Sequence, residues 1–309
     1  MVTLADTQQD AYRAMTTGCG LVDRSERGKL ALTGGEAKDF LHGQVTNDIE
    51  ALEPGRGCYA AFLTPKGKML GDLRVLDFGD ELFLDTERVA LQELFNMIRR
   101  YKLGRDVELH KRTVERALLS LVGPLARSLV SVGPNEHDNA PGEIGGVPVT
   151  LVTTDGGVDV ICDAERIAEV KAALGVPEVG EAVAEIVRVE HGRPRFGIEL
   201  DDSVIPQEAG LNERAVSFTK GCYVGQETVA RLHYRGKPNR HLRGLRLSEP
   251  VATGEPLRLG EREVGRVGTS VVSPAHGPIA LALVRREAAP GDQVMAGEVA
   301  ATVTELPFT

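Results

Sequence analysis

The residues of this chain best suited to chemistry sit in KGCYVGQE, Lys220 to Glu227. Cys222 stands between a glycine and a tyrosine, two positions after a lysine and just ahead of the helix-like run QETVARLHYR. The preceding AVSFT reads as a short strand, so the unit reads as strand, glycine turn, helix. A thiol at a helix start faces the positive end of the macrodipole, and Lys220 adds a second positive charge. Both are expected to favour the reactive thiolate form. Gly221 and Gly225 permit close backbone approach to a ligand or a positive φ. The alternative is a buried cysteine acting as a small hydrophobe. Cys19, Cys58 and Cys162 lack this setting and read as packing residues.

The elements that must position the octet follow from periodicity. GKLALTG (28–34) alternates as a strand, and GEAKDFLHGQV reads as a short helix. CYAAFLTPKGKMLGDLRVLDFGDELFLDT reads as strands broken at PKGK and FGDE. Leu91, Leu94, Phe95, Ile98 and Tyr101 have helical spacing. RDVELHKR, RALLSLVGP and both halves of GGVPVTLVTTDGGVDVICD read as strands, and PLARSLVSVG looks helical. AERIAEVKAALG reads as an amphipathic helix stopped at Gly175, while VAEIVRVEHG fits helix or strand. From about Leu242 short alternating segments separated by Gly and Pro turns predict a small β-barrel or sandwich. The expected fold class is α+β for roughly the first 240 residues and all-β after them.

Bulk properties exclude several functions. The 309 residues are 42% hydrophobic and 26% charged, enough for a sizeable core in two or three domains. A net charge of −9 argues against a general nucleic-acid binder, which needs to neutralise phosphates. The opening MVTLADTQQDAYRAM lacks the apolar segment of a secretory leader. No apolar run approaches the ~18 residues of a membrane helix. Four dispersed cysteines without a CxxC pair, and seven histidines without HExxH spacing, predict no disulfide framework and no metal site. A reduced, cytoplasmic, monomeric protein is the expectation. Between Arg214 and Arg246 eight Lys and Arg face one acid, Glu227. This stripe can steer an anionic ligand or an acidic partner, or be a solvated basic face. Neither GxGxxG after a strand nor a P-loop is present.

Five segments together resemble a known family: GQVTNDIEALEPG (43–55), PKGKMLGDLRV (65–75), RVEHGRPRFG (188–197), IPQEAGL (205–211) and KGCYVGQETVAR (220–231). They are similar to the YgfZ-type folate-binding proteins, within the wider fold family of the glycine-cleavage T-protein, an aminomethyltransferase. The resemblance runs from about residue 20 to 300, and its octet is specific to the YgfZ branch. It implies an α+β three-domain ring around a folate pocket. A split folate-binding domain (1–53 and 111–240) would surround an inserted α+β domain (54–110), with a C-terminal β-barrel at 241–309. It implies tetrahydrofolate, free or polyglutamylated, as cofactor, and iron–sulfur client enzymes or assembly proteins as partners. Cys222 and Lys220 would be the reactive pair. Asp72 matches the carboxylate that T-proteins place near the reactive folate nitrogen, where it can exchange a proton. Asp159 falls where they grip the pterin, whose amide edge offers adjacent N–H donors to two oxygens. Gln44, Asn47, Glu190, Gly221, Tyr223, Gln226 and Arg231 complete the folate contacts implied by the matching motifs. The chain departs from relatives in having no Trp to stack on folate, and in having Ala184 where T-proteins carry an arginine. The Ala184 departure bears on aminomethyl transfer more than on folate binding.

Three functions fit these residues. The first is a folate-dependent factor in iron–sulfur cluster assembly or repair using Cys222. The second is one-carbon transfer, aminomethyl or methyl, with Asp72 as acid–base. The third is a non-catalytic folate-binding scaffold that docks an acidic client on Arg235 and Lys237.

Overall fold

The computed structural model describes residues 4–309; the first three residues of the opening stretch lie outside them. The first ten strands are β1 (Gly20–Asp23), β2 (Gly28–Thr33), β3 (Gly57–Leu63), β4 (Met69–Asp77), β5 (Leu82–Thr86), β6 (Glu108–Lys111), β7 (Arg116–Val122), β8 (Asn139–Ile144), β9 (Val147–Thr154) and β10 (Gly157–Asp163). Six more follow: β11 (Arg240–Leu247), β12 (Pro256–Leu259), β13 (Arg262–Ser273), β14 (Gly277–Arg285), β15 (Gln293–Ala296) and β16 (Val299–Thr304). The α-helices are α1 (Leu4–Thr17), α2 (Ala37–His42), α3 (Leu91–Tyr101), α4 (Ala126–Leu129), α5 (Ile167–Leu174), α6 (Glu181–Glu190), α7 (Asn212–Ala215) and α8 (Gln226–Arg235).

The strands form two antiparallel five-stranded sheets, ordered β1-β7-β10-β9-β8 and β3-β4-β5-β2-β6, and one closed barrel, β11-β14-β13-β12-β15-β16. The fold is α+β with a C-terminal barrel, as the texture of the sequence suggests. The strands before residue 54 divide between the sheets: β1 joins the first, and β2 sits between β5 and β6 in the second. Leu76 and Phe83 of one sheet meet Leu118, Val152 and Ile161 of the other, all buried. Each such side chain contributes about 1.5–3 kcal/mol on burial. The barrel touches both units. Val189 on α6 packs against Ile279 and Leu281, and Leu283 packs on the cluster of Ala61, Leu63 and Met69.

Local sequence explains most ends. α5 stops at Gly175, which takes φ 60, a left-handed angle that glycine adopts without strain. VAEIVRVEHG resolves as α6, whose buried face spans Val183, Ala184, Ile186, Val187 and Val189. That face is wide because the helix packs against α1 and β1 on one side and barrel strands on the other. The broad apolar face is what blurs the helical period in the sequence. PLARSLVSVG yields only the single turn of α4 before Val130 turns extended. Among the described residues no helix is long and apolar enough to cross a membrane.

Candidate functional site

The octet is built differently from the expected strand–turn–helix. AVSFT forms no strand: α7 ends at Ala215, and Val216, Phe218 and Tyr223 turn into one apolar cluster. In place of a strand ladder, the Ser217 N–H donates to the Thr46 carbonyl at 3.0 Å. α8 begins at Gln226, after Gly225 at φ 86, so Cys222 lies ahead of the helix's first turn. The macrodipole, which acts over that turn, therefore does not explain a reactive thiol here.

Nor does Lys220 stand free beside it. Its side chain is buried, and the ammonium donates to the carbonyls of His42, Val45 (2.8 Å) and Asn47 (2.9 Å). Burial pushes its pKa down to about 8, which leaves it charged at neutral pH. Lys220 thus clamps the octet to the GQVTN loop. A glycine contact adds a second clamp. A Cβ on Gly225 would lie 2.6 Å from the Thr64 carbonyl oxygen, and one on Gly67 would lie 2.8 Å from Thr228 Cβ. Lys220→Met should leave three carbonyls without their donor and destabilise the fold by about 2–4 kcal/mol. Urea unfolding would read this, and an unchanged midpoint would refute the clamp. Cys222 itself is exposed. Burial pushes Cys58 up to about 12 and Cys162 up to about 11, so both are neutral thiols.

A cavity of about 240 Å³ opens between the two sheets, walled by residues of β4, β7, β10, α6 and the 191–195 segment. That volume suits a ligand's ring system better than a whole extended ligand. Asp72 on β4 and Asp159 on β10 both line it. The Tyr59 hydroxyl donates to Asp72 at 2.5 Å. Burial pushes the Asp72 carboxyl up to about 6; the Tyr59 hydrogen bond opposes this, and Glu87 adds to it. Asp159 accepts from the Ser120 hydroxyl at 2.6 Å and pairs with Arg74 at 2.6 Å. Ser120 and Asp159 are register partners, as are Arg74 and Asp85.

Behind this wall Asp85, fully buried, is gripped by Arg74 at 2.6 Å and Arg27 at 2.7 Å. Burial alone would raise its pKa, but the two guanidiniums hold it at about 2. Arg27 continues to Glu87, and Arg195 reaches Glu87 (3.7 Å), Glu181 (2.7 Å) and Glu185 (2.9 Å). On the opposite side Arg214 pairs with Glu136 at 2.5 Å and lies 5.5 Å over the Tyr59 ring. The lining holds seven arginines and five carboxylates. Asp85, Glu181, Glu185 and Glu199 just outside it pair with Arg24, Arg27, Arg74, Arg188 and Arg195, so the charges around the cavity are balanced by ion pairs.

Of the other sequence candidates, none lines this cavity. Asn47 supports it from behind, donating to the Tyr59 carbonyl at 2.8 Å and the Arg214 carbonyl at 3.3 Å. Glu190 accepts the hydroxyls of Tyr12 (2.9 Å) and Ser273 (2.5 Å), which ties α1, α6 and the barrel together. Gln44 N–H donates to the Leu41 carbonyl at 3.0 Å in the loop that Lys220 clamps. Gly221, Cys222 and Tyr223 lie in the octet loop, Gln226 opens α8, and Arg231 is exposed on α8. Three of the eight basic residues of the stripe are ion-paired: Arg214 with Glu136, Arg240 with Glu208 and Arg243 with Glu305. Arg231, Arg235 and Lys237 have no ion-pair partner among the described residues. Tyr59, Arg27, Arg74 and the arginines of 188–195 escape a reading of the sequence. Of these only Arg74 carries a signal, a charge inside the mostly apolar strand β4, which Asp85 matches in LFLDT, where all five residues are buried. No group of side chains suited to a metal occurs among the described residues.

Two family descriptions match the chain: the GCVT N-terminal domain over residues 3–220, and the glycine cleavage T-protein C-terminal barrel domain over 240–309. At1g60990, a chloroplastic protein of Arabidopsis thaliana with a provisional transferase description, is 28% identical over 98% of this chain and 74% of its own length. The crystal structure of the glycine cleavage system aminomethyltransferase T from Bartonella henselae superposes with a TM-score of 0.85. It is 22% identical, over 98% of this chain and 89% of that one, and the likeness establishes the fold.

Proposed function

The chain belongs to the glycine cleavage T-protein family, and on that premise we propose that it is a YgfZ-type protein that binds tetrahydrofolate between its two sheets and supports iron–sulfur cluster assembly or repair through Cys222. The observation that carries the folate half is the pair of buried carboxylates, Asp72 and Asp159, in the lining of one cavity between the sheets. Asp159, oriented by Ser120 and Arg74, suits the adjacent N–H donors of a pterin amide edge. Tyr59 provides an aromatic ring in the lining of a chain that has no tryptophan. Arginines in the lining can bond the glutamate carboxylates of the ligand, single or in a polyglutamylated tail. Bound tetrahydrofolate supplies nitrogen atoms able to carry a one-carbon unit.

Support for the cysteine half comes from its neighbours. Lys220, Tyr223 and Gly225 are committed to architecture, whereas Cys222 is exposed and free to meet a client. Cytoplasmic iron–sulfur enzymes or their assembly proteins are the partners proposed. Cys222→Ala should lower the activity of such enzymes in cells while tetrahydrofolate affinity stays within about twofold, because Cys222 is not part of the cavity wall. A large loss of folate affinity in that variant would contradict the separation of the two sites.

One-carbon transfer is the second reading, and Asp72 favours it. A buried carboxyl titrating near 6 beside a tyrosine hydroxyl can hold or release a proton at neutral pH. Ala184, in the lining where T-proteins carry arginine, weighs against aminomethyl transfer in particular.

A further inference from the structure

His137 lies on the cavity wall and is the one described non-glycine residue with a left-handed backbone, φ 69. Histidine takes that region more readily than bulky residues, but such angles persist where the surroundings impose them. Both flanks here are tied. The His137 N–H donates to the Thr153 carbonyl at 2.8 Å, and the Thr153 N–H donates to the Asp138 carbonyl at 2.8 Å. The Asp138 carboxylate takes the Asn135 N–H at 2.9 Å and the Arg56 guanidinium, and the Asn139 N–H donates to the Gly55 carbonyl at 2.8 Å.

The imidazole that this loop presents makes no hydrogen bond with the protein. It is 7% exposed, Nδ1 has no partner, and Nε2 lies 3.6 Å from Glu136 Oε1, beyond hydrogen-bond length. Buried polar groups left unpaired are uncommon and need a reason. Burial, reinforced by Arg74 and Arg214, pushes the ring's pKa down to about 4, so it is uncharged at neutral pH. The fold therefore imposes an unusual backbone angle on a residue whose neutral ring it packs but leaves without a hydrogen bond.

Resting on the folate reading, we infer that His137 is a recognition residue for the flat heteroaromatic head of the ligand. A neutral imidazole reads ring N–H groups and ring nitrogens, and leaves carboxylates to the arginines around it. The test compares tetrahydrofolate with p-aminobenzoylglutamate, which carries the tail chemistry but no pteridine, in wild type, His137→Gly and His137→Asn. Glycine takes φ 69 freely and asparagine tolerates it, so neither variant threatens the loop. Both should melt close to the wild type. His137→Gly should bind tetrahydrofolate about tenfold more weakly, with p-aminobenzoylglutamate unaffected. Unchanged tetrahydrofolate affinity in both variants would overturn the assignment, and so would melting far below the wild type, which would make the ring structural. A wild type that binds no tetrahydrofolate would instead sink the folate reading and this inference with it.

Discussion

Asp72→Asn should be at least as stable as the wild type at neutral pH while losing any one-carbon transfer, by about 10²- to 10⁴-fold. The stability half follows from the carboxyl's pKa, raised from 3.8 to about 6 by burial. A raised value means that the folded state prefers the protonated group. Its favourable contribution is complete below about pH 4 and is lost as pH rises through 6. Above that, the ionised carboxylate opposes folding by about 3 kcal/mol. Asparagine keeps the shape and still accepts the Tyr59 hydroxyl, without the charge. Thermal melts at several pH values would show the variant ahead at neutral pH and level with the wild type below about pH 4. A variant less stable at neutral pH would contradict this placement of Asp72.

Asp85→Ala should act in the opposite sense. It strands the guanidiniums of Arg27 and Arg74, both tightly packed, without their shared carboxylate. Removing one partner from a buried ion pair costs about 3–5 kcal/mol. The pKa of Asp85, depressed from 3.8 to about 2, gives a stabilisation present above about pH 4 and lost as pH falls through 2. The wild type should therefore lose stability in that acid window, and the variant should lose less there. Because Arg74 also holds Asp159, tetrahydrofolate affinity should fall in the same variant. Urea midpoints at neutral and acid pH would check both statements, and a shift under 1 kcal/mol would refute the network's role.

Much of the fold is legible in the residues. Short alternating segments after Leu242 announce the barrel that begins at Arg240, and the apolar spacing from Leu91 to Tyr101 announces α3. These elements are set by local periodicity. What local pattern cannot carry is partnership. β2 reads as a strand, yet nothing in GKLALT says that it lies between β5 and β6. AVSFT has the composition of a strand, but Val216 and Phe218 find partners in an apolar cluster instead of a ladder.

The site divides the same way. Asp72 and Asp159 emerge from family motifs and meet across one cavity, whereas the octet's lysine turns away to three carbonyls. The family resemblance implied one site for the thiol and the folate contacts. Asp72 and Asp159 line the cavity, and Cys222 lies outside its lining. Arg27, Arg74 and Asp85 come together only through strand register, which places Arg74 opposite Asp85.

Hydrogen–deuterium exchange with and without tetrahydrofolate tests most directly whether folate occupies the space between the sheets. Slowed exchange should fall on the cavity-lining loops around Glu136 and His137, Thr154 to Gly156, and His191 to Arg195, with the barrel's outer face unchanged. Protection confined to the barrel, or none at saturating ligand, would contradict it.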